Sequence, residues 1–358
     1  MRVLFATTRH FLPQCVGGSE WSTHGLCAGL SRLGDTVAIH CQLKNDGWLA
    51  KKNRLKRKLL KQAFPADLSL GYRAFRGWDP KSGISEVIER FRAEIVVVVG
   101  AAPDPAGLAA IATRSGIPVV YQIRDMEFDK HGAALADLQD VHFVSNSSFT
   151  AQRFLDQFGK GSDVILPPVD PDACKVARPG AKVLLINPDP KKGGEIAIQM
   201  AEARPHIPFV FQESWPSNAM LTDLKARAQR AGNVEWRHPV LDVREAYREA
   251  RILLAPSQWA EAWGRVATEA HFSGIPVIGS DCGGLSEAIG PGGLVVAQDA
   301  PLGEWLAALD TLWTDAAAWE RYSHEALAYA DRQAVQLDYQ IRKFRGILLD
   351  TLEERKKG

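Results

Sequence analysis

Short, nearly continuous apolar runs punctuate the chain. In the first half they read RVLFATT, TVAIHC, EIVVVVG, PVVYQI and DVHFVS. Runs that are apolar at consecutive positions predict strands buried on both faces, as in a parallel sheet. Between them lie segments of helical periodicity, such as EWSTHGLCAGLSRLG, which ends at Gly34, a residue suited to the position after a helix. Strands alternating with helices predict a doubly wound sheet covered on both faces. The alternation pauses in the proline-rich ILPPVDPDACKVARPGA, then restarts with KVLLINP, PFVFQE, NVEWR, RILLAPS, PVIGSD and GGLVV. From about Pro301 onward the pattern is helical, without strand signal. The expected fold class is α/β. Two Rossmann-like doubly wound domains, 1–168 and 182–330, are joined by a linker at 169–181 and followed by a helical segment at 331–358. Two such domains in series predict a cleft at the carboxyl ends of their strands.

Composition narrows the class. The chain has 358 residues, with 46% hydrophobic and 24% charged residues, as expected of a globular protein. Its 43 basic and 42 acidic residues give a net charge of +1, so nothing global favours nucleic acid as a partner. Five scattered cysteines form no C-x-x-C pair, which argues against a disulfide framework or zinc site and fits a reduced cytosol. The start, MRVLFATTRH, reads as a first buried strand, because its apolar stretch is too short for a signal peptide. The longest apolar run, IVVVVGAA, is far below the roughly 18–20 residues that span a bilayer. No membrane-crossing segment is expected.

Two loops are suited to phosphate. After the first strand, Gly17-Gly18 precedes Ser19, a candidate N-cap, and a helix with Glu20 in its first turn. Glycines let the backbone approach a ligand closely, and a helix N-terminus favours an anion. A plain turn would show the same residues, and the P-loop spacing is absent. In the second half, INPDPKKGG follows a strand in the same way, with Lys191 and Lys192 beside Gly193-Gly194. Such lysines suit a diphosphate, the alternative being two solvated surface charges.

The segment EAWGRVATEA, residues 261–270, holds two glutamates eight positions apart. Gly264 stands at the start of a helix that Gly274 and Pro276 bring to an end. Glu261 precedes that helix. Glu269 lies inside it among apolar neighbours, where desolvating a carboxylate is costly unless something hydrogen-bonds to it. Paired sugar hydroxyls are donors of the right kind.

In this block the chain resembles the retaining GT-B glycosyltransferases of the family 4 type, whose hallmark is E-x7-E. Glu261 and Glu269 match the spacing, and PS, EAWG, EA and SGIPVIGSDCGGLSE follow in the family's order. GGSE, PKKGG, FVSNSSF and ILPPVD extend the resemblance over nearly the whole chain. It implies the GT-B architecture, with the last helical segment returning to the first domain. It also implies a metal-independent transfer of a hexosyl unit from a nucleotide diphosphate sugar, without cofactor, to a hydroxyl of a glycan or lipid-linked acceptor. Carried onto matching positions, it has Glu269 holding the ribose hydroxyls and Glu261 contacting the transferring sugar. Lys192 would neutralise the departing diphosphate, and Gly17 and Gly18 would let the backbone near it. The amides of Trp263, Gly264, Arg265 and Val266 would contact the donor.

The chain departs from the family at two places. Asn187 stands where an arginine is common, five positions before Lys192, with Arg265 and Arg124 as candidate substitutes. Arg124 also stands where a histidine usually precedes Asp125; it can bind hydroxyls or phosphate but is a poor proton shuttle. The D-x-D at 170–172 falls in the proline-rich stretch, and no H-x-x-x-H pair occurs, so no metal site is expected. A sugar-nucleotide epimerase and a non-catalytic sugar-nucleotide binding protein are the rival readings.

One stretch is unlike the rest. KKNRLKRKLLK, from Lys51 to Lys61, has seven basic residues and no acid, and without it the chain's charge falls from +1 to −6. Leu55, Leu59 and Leu60 recur at helical spacing, flanked by Trp48 and Phe64. A basic amphipathic helix suits an anionic membrane surface, and a solvated helix is the alternative. The expectation is a cytoplasmic enzyme, peripheral to the inner face of the membrane.

Overall fold

A computed structural model describes residues 1–101, 103–177, 179–214 and 221–357. The chain divides into two compact units, Met1–Pro168 with Asp338–Gly358, and Val169–Leu337. The proline-rich stretch at 169–181 therefore counts with the second unit.

The first unit is built on eight strands: β1 (Arg2–His10), β2 (Thr36–Gln42), β3 (Ala66–Asp67), β4 (Arg73–Gly77), β5 (Ile95–Gly100), β6 (Val119–Ile123), β7 (Val141–Ser145) and β8 (Asp163–Val164). Their order is β3-β4-β2-β1-β5-β6-β7-β8. The five apolar runs of the sequence are its central strands, and every residue of β5 and β6 is buried. One edge strand departs from the parallel pattern of the others: β3 pairs antiparallel to β4. The chain winds outward from β1 in both directions, so the topological switch point lies between β1 and β5. The helix Leu337–Lys357 contributes Phe344, Ile347 and Leu348 to the core against Phe5, Ile39 and Val97.

The second unit has six strands: β9 (Lys182–Ile186), β10 (Phe209–Gln212), β11 (Val234–Arg237), β12 (Ala250–Ala255), β13 (Val277–Asp281) and β14 (Gly293–Ala297). All pair parallel, in the order β11-β10-β9-β12-β13-β14. Here the switch point lies between β9 and β12. Trp305, Leu309 and Leu312 of the helix Leu302–Thr314 close this core against β9, β10 and β12.

The basic stretch lies in the helix Gly47–Leu60. Leu49, Ala50 and Asn53 are buried, while Trp48, Leu55, Leu59 and Leu60 stay exposed. Phe64 is not part of that exposed stripe. It is buried, its ring filling the space left by Gly77 and Gly83, where an added Cβ would come within 2.1 and 1.9 Å of it. No helix among the described residues is long and apolar enough to cross a membrane.

Candidate active site

Ligands of open α/β sheets bind beyond the carboxyl ends of the strands at the switch point. In the second unit those ends carry the lysine loop, after β9, and the loop leading to Glu261, after β12. The two loops are joined through the backbone: the Gln258 N–H donates to the Lys191 carbonyl at 2.8 Å. Gly193 has φ +79°, and a Cβ there would stand 1.9 Å from the Pro256 carbonyl oxygen. Only glycine satisfies both the turn and that approach. Asn187 is also left-handed, with φ 63°, a conformation asparagine tolerates, and its N–H donates to the Gln212 carbonyl at 2.8 Å.

Lys192 Nζ donates to Glu261 Oε1 at 2.5 Å, and the Ser257 hydroxyl donates to the same oxygen at 2.8 Å. The Lys191 ammonium lies 5.0 Å from the centroid of the Trp259 ring. Glu261 is pinned by its backbone, since its carbonyl accepts from the Gly284 N–H at 2.6 Å in the loop after β13. The pairing of a partly exposed lysine with a less exposed glutamate brings the two charges together at the neighbouring ends of β9 and β12.

Glu269 lies in the helix Arg265–His271 and is 8% exposed. Tyr247, fully buried, donates its hydroxyl to Oε2 at 2.8 Å, and Arg265 Nε donates to Oε1 at 2.6 Å. Burial, and then the neighbouring carboxylate, raise the Tyr247 hydroxyl pKa well above its ordinary value, so it stays a donor. A carboxylate offers about four lone-pair sites, so two protein donors orient it without exhausting it. Gly264, with φ +101°, turns the chain into this helix against Leu285, and the buried Trp263 indole donates to Thr268 Oγ1 at 3.0 Å. The Val266 carbonyl accepts from the Tyr247 hydroxyl at 3.3 Å.

In the first unit, Gly17 caps a helix that already begins at Gly18, so Ser19 lies in the first turn and is not the N-cap. The cap has extended backbone and no side chain to spend on the free amides. Arg124 follows β6; its N–H donates to the Gly100 carbonyl at 3.1 Å and its guanidinium to Gln122 Oε1 at 3.0 Å. Asp125 is engaged by His131, whose Nε2 lies 2.7 Å from Oδ1, while Nδ1 lies 2.8 Å from the Tyr121 hydroxyl. Sequence reasoning missed this buried Tyr–His–Asp chain. At 170–172 the D-x-D forms a turn, with Asp170 accepting from the Asp172 N–H at 3.0 Å. No group of three or more His, Cys, Asp or Glu among the described residues is placed to hold a metal ion.

Both halves of the chain resemble known protein families. Residues 16–173 match the family described as Glycosyltransferase Family 4, and residues 214–315 match Glycosyl transferases group 1. With the two wound sheets, these matches indicate a GT-B glycosyltransferase of the family 4 type. Among solved structures, HepE of Anabaena in complex with UDP-glucose superposes with a TM-score of 0.77 at 17% identity, covering 98% of this chain and 100% of that one. A glycosyltransferase of Rickettsia africae gives 0.74 at 16% identity, covering 98% of each. A D-inositol 3-phosphate glycosyltransferase of Nocardia farcinica is 39% identical over 88 residues, which are 24% of this chain and 19% of that relative. The matched stretch thus spans about a fifth of that curated relative's length.

Proposed function

We propose that the protein is a retaining, metal-independent glycosyltransferase that moves a hexosyl unit from a nucleotide diphosphate sugar to a hydroxyl of a glycan or lipid-linked acceptor. The observation that carries this reading is the grouping of Lys192, Glu261 and a pre-oriented Glu269 around the β9/β12 switch point. HepE, crystallised with UDP-glucose, supports the donor class. The acceptor oxygen bonds to the anomeric carbon as the bond to the diphosphate breaks, and the acceptor proton passes to the leaving diphosphate. The negative charge that grows on that group is what Lys192 stabilises, an interaction stronger in the transition state than in the ground state. Glu261 accepts from hydroxyls of the transferring sugar. Glu269 accepts from the ribose.

Titrating nucleoside diphosphate into two variants tests the assignment. Glu269→Ala is expected to weaken binding, whereas Glu261→Ala keeps binding near wild type and loses turnover. Wild-type binding and turnover in both would end the assignment, and products formed from donor alone would favour an epimerase.

The same protein is proposed to dock on anionic membrane through the helix Gly47–Leu60, where exposed Trp48, Leu55 and Leu59 are flanked by Lys51, Lys52 and Lys58. Each basic residue near such a surface contributes about 1 kcal/mol, and salt screens it. Cosedimentation with phosphatidylserine-containing vesicles should occur at low salt, fade as salt rises, and vanish when the three lysines become glutamine. Absence of binding at low salt overturns the docking proposal.

A further inference from the structure

The switch point of the first unit has its own small cavity, of about 10 Å³, at the ends of β1 and β5 beside the start of the helix Gly18–Arg32. Thr7, Arg9, Val99, Ser19, Glu20 and Thr23 are among its lining residues. That volume holds about one water-sized group. Glu20 is only 6% exposed, yet its carboxylate makes no hydrogen bond or ion pair among the described residues. The free amides of the helix's first turn favour a negative charge there. Buried carboxylates elsewhere are held, Asp67 by Arg76 and Glu269 by Tyr247 and Arg265.

We propose that Glu20 is a binding residue for a neutral hydroxyl of a polyol or sugar acceptor, seated at the β1/β5 switch point. The lining decides the chemistry. An ionised carboxylate only accepts, so its guest must donate. Arg9 in the same wall disfavours an ammonium or metal cation, and Glu20 disfavours an anion. A hydroxyl does both things the wall asks, donating to Glu20 and accepting from a neighbouring donor. Thr7 is that neighbour: its Oγ1 accepts from the Arg9 N–H at 3.2 Å and still has a proton to give. The Thr23 hydroxyl, by contrast, is committed to the Ser19 carbonyl at 2.9 Å. The inference rests on the reading of the protein as a transferase to a hydroxyl, and it supplies the acceptor-side contact that reading lacks.

Saturation-transfer NMR with millimolar glycerol and myo-inositol as probes, and ethylammonium as the cationic control, tests it on wild type, Glu20→Gln and Glu20→Ala. The expected result is polyol signal in the wild type, a several-fold weaker one in Glu20→Gln, none in Glu20→Ala, and no ethylammonium signal. Equal polyol signal in wild type and Glu20→Ala, no polyol signal in wild type, or preference for ethylammonium overturns it. Melting temperature separates binding from a structural role. If Glu20 serves binding, Glu20→Gln should melt within about 2 °C of the wild type; a markedly lower melting point would make Glu20 a structural helix-end residue. Calorimetry with UDP-glucose on wild type and Glu20→Ala, expected to give equal affinities, isolates the underlying reading. A wild type that binds no UDP-glucose counts against that reading, while the polyol signals still judge the cavity on their own.

Discussion

The two sheets present the same local device, a glycine pair leading from the first strand into a helix, yet the glycines are there for different physical reasons. In the second unit, Gly193 has positive φ and Gly194 would set a Cβ 2.2 Å from the Pro188 carbonyl oxygen. Backbone cannot yield, so the lysine loop is fixed in one shape. In the first unit, Gly17 is extended, and a Cβ would meet only the end of the Glu20 side chain, at 2.7 Å. The charges differ too. At the β9/β12 switch point every carboxylate is answered, Glu261 by Lys192 and Glu269 by Tyr247 and Arg265. At the β1/β5 switch point no described residue pairs with Glu20. One end is organised around charge balanced by protein donors, the other around a carboxylate that no protein donor meets among the described residues.

If the second switch point handles the leaving phosphate charge, Lys192→Ala should cost about 10²–10³-fold in turnover, with a smaller loss in donor affinity. Steady-state kinetics beside donor titration measures both. A fall of only a few-fold would shift that task to another cation, such as Lys191.

The glycine contrast makes a stability prediction. Gly193→Ala should lose about 2–3 kcal/mol in denaturant unfolding, from positive φ and backbone overlap together. Gly17→Ala should lose less than about 1 kcal/mol, because Glu20 can swing aside. Equal losses would erase the distinction between the loops.

In acid the two units should instead behave alike. His40 in the first and His271 in the second are buried, and desolvation lowers each pKa to about 4. An unfolded histidine titrates near 6.5, so between about 6.5 and 4 the unfolded chain binds more protons. Stability is therefore full above about pH 6.5 and falls as pH drops toward 4, by about 2 kcal/mol per histidine at pH 5. Replacing either residue by asparagine should flatten that part of the profile, as read from melting temperature against pH.

The smallest effect is expected at Tyr247. Tyr247→Phe removes one donor from Glu269 and should weaken nucleoside diphosphate binding about five- to tenfold, in keeping with about 1 kcal/mol for one hydrogen bond. Preference for ribose over 2′-deoxyribose nucleotides should fall with it. An unchanged preference would make Tyr247 a packing residue alone.

Much of this molecule is legible along the chain, and the limits have a common cause. The central strands announce themselves because burial on both faces demands unbroken apolar runs. The Arg265–Glu269 contact is readable as well, since residues four apart share a helix face. The two-residue strands β3 and β8 are too short to carry a period, and Phe64 looks like a flank of the basic helix until Gly77 and Gly83 make room for its ring. Tyr247 is 22 positions from Glu269, and Asp125 finds His131 only because a 3₁₀ turn folds back.

Residue order alone therefore specified two wound sheets, two glycine-led loops and a pair of glutamates at fixed spacing. These follow from solvent-driven burial and local backbone geometry, both of which act over a few neighbouring positions. Folding specified which carboxylates are balanced and which is left open. A buried charge is governed by the donors that reach it, and in this protein those donors arrive from segments distant in sequence. Glu20 and Glu269 look alike on the page of letters; only the second is met by a tyrosine and an arginine.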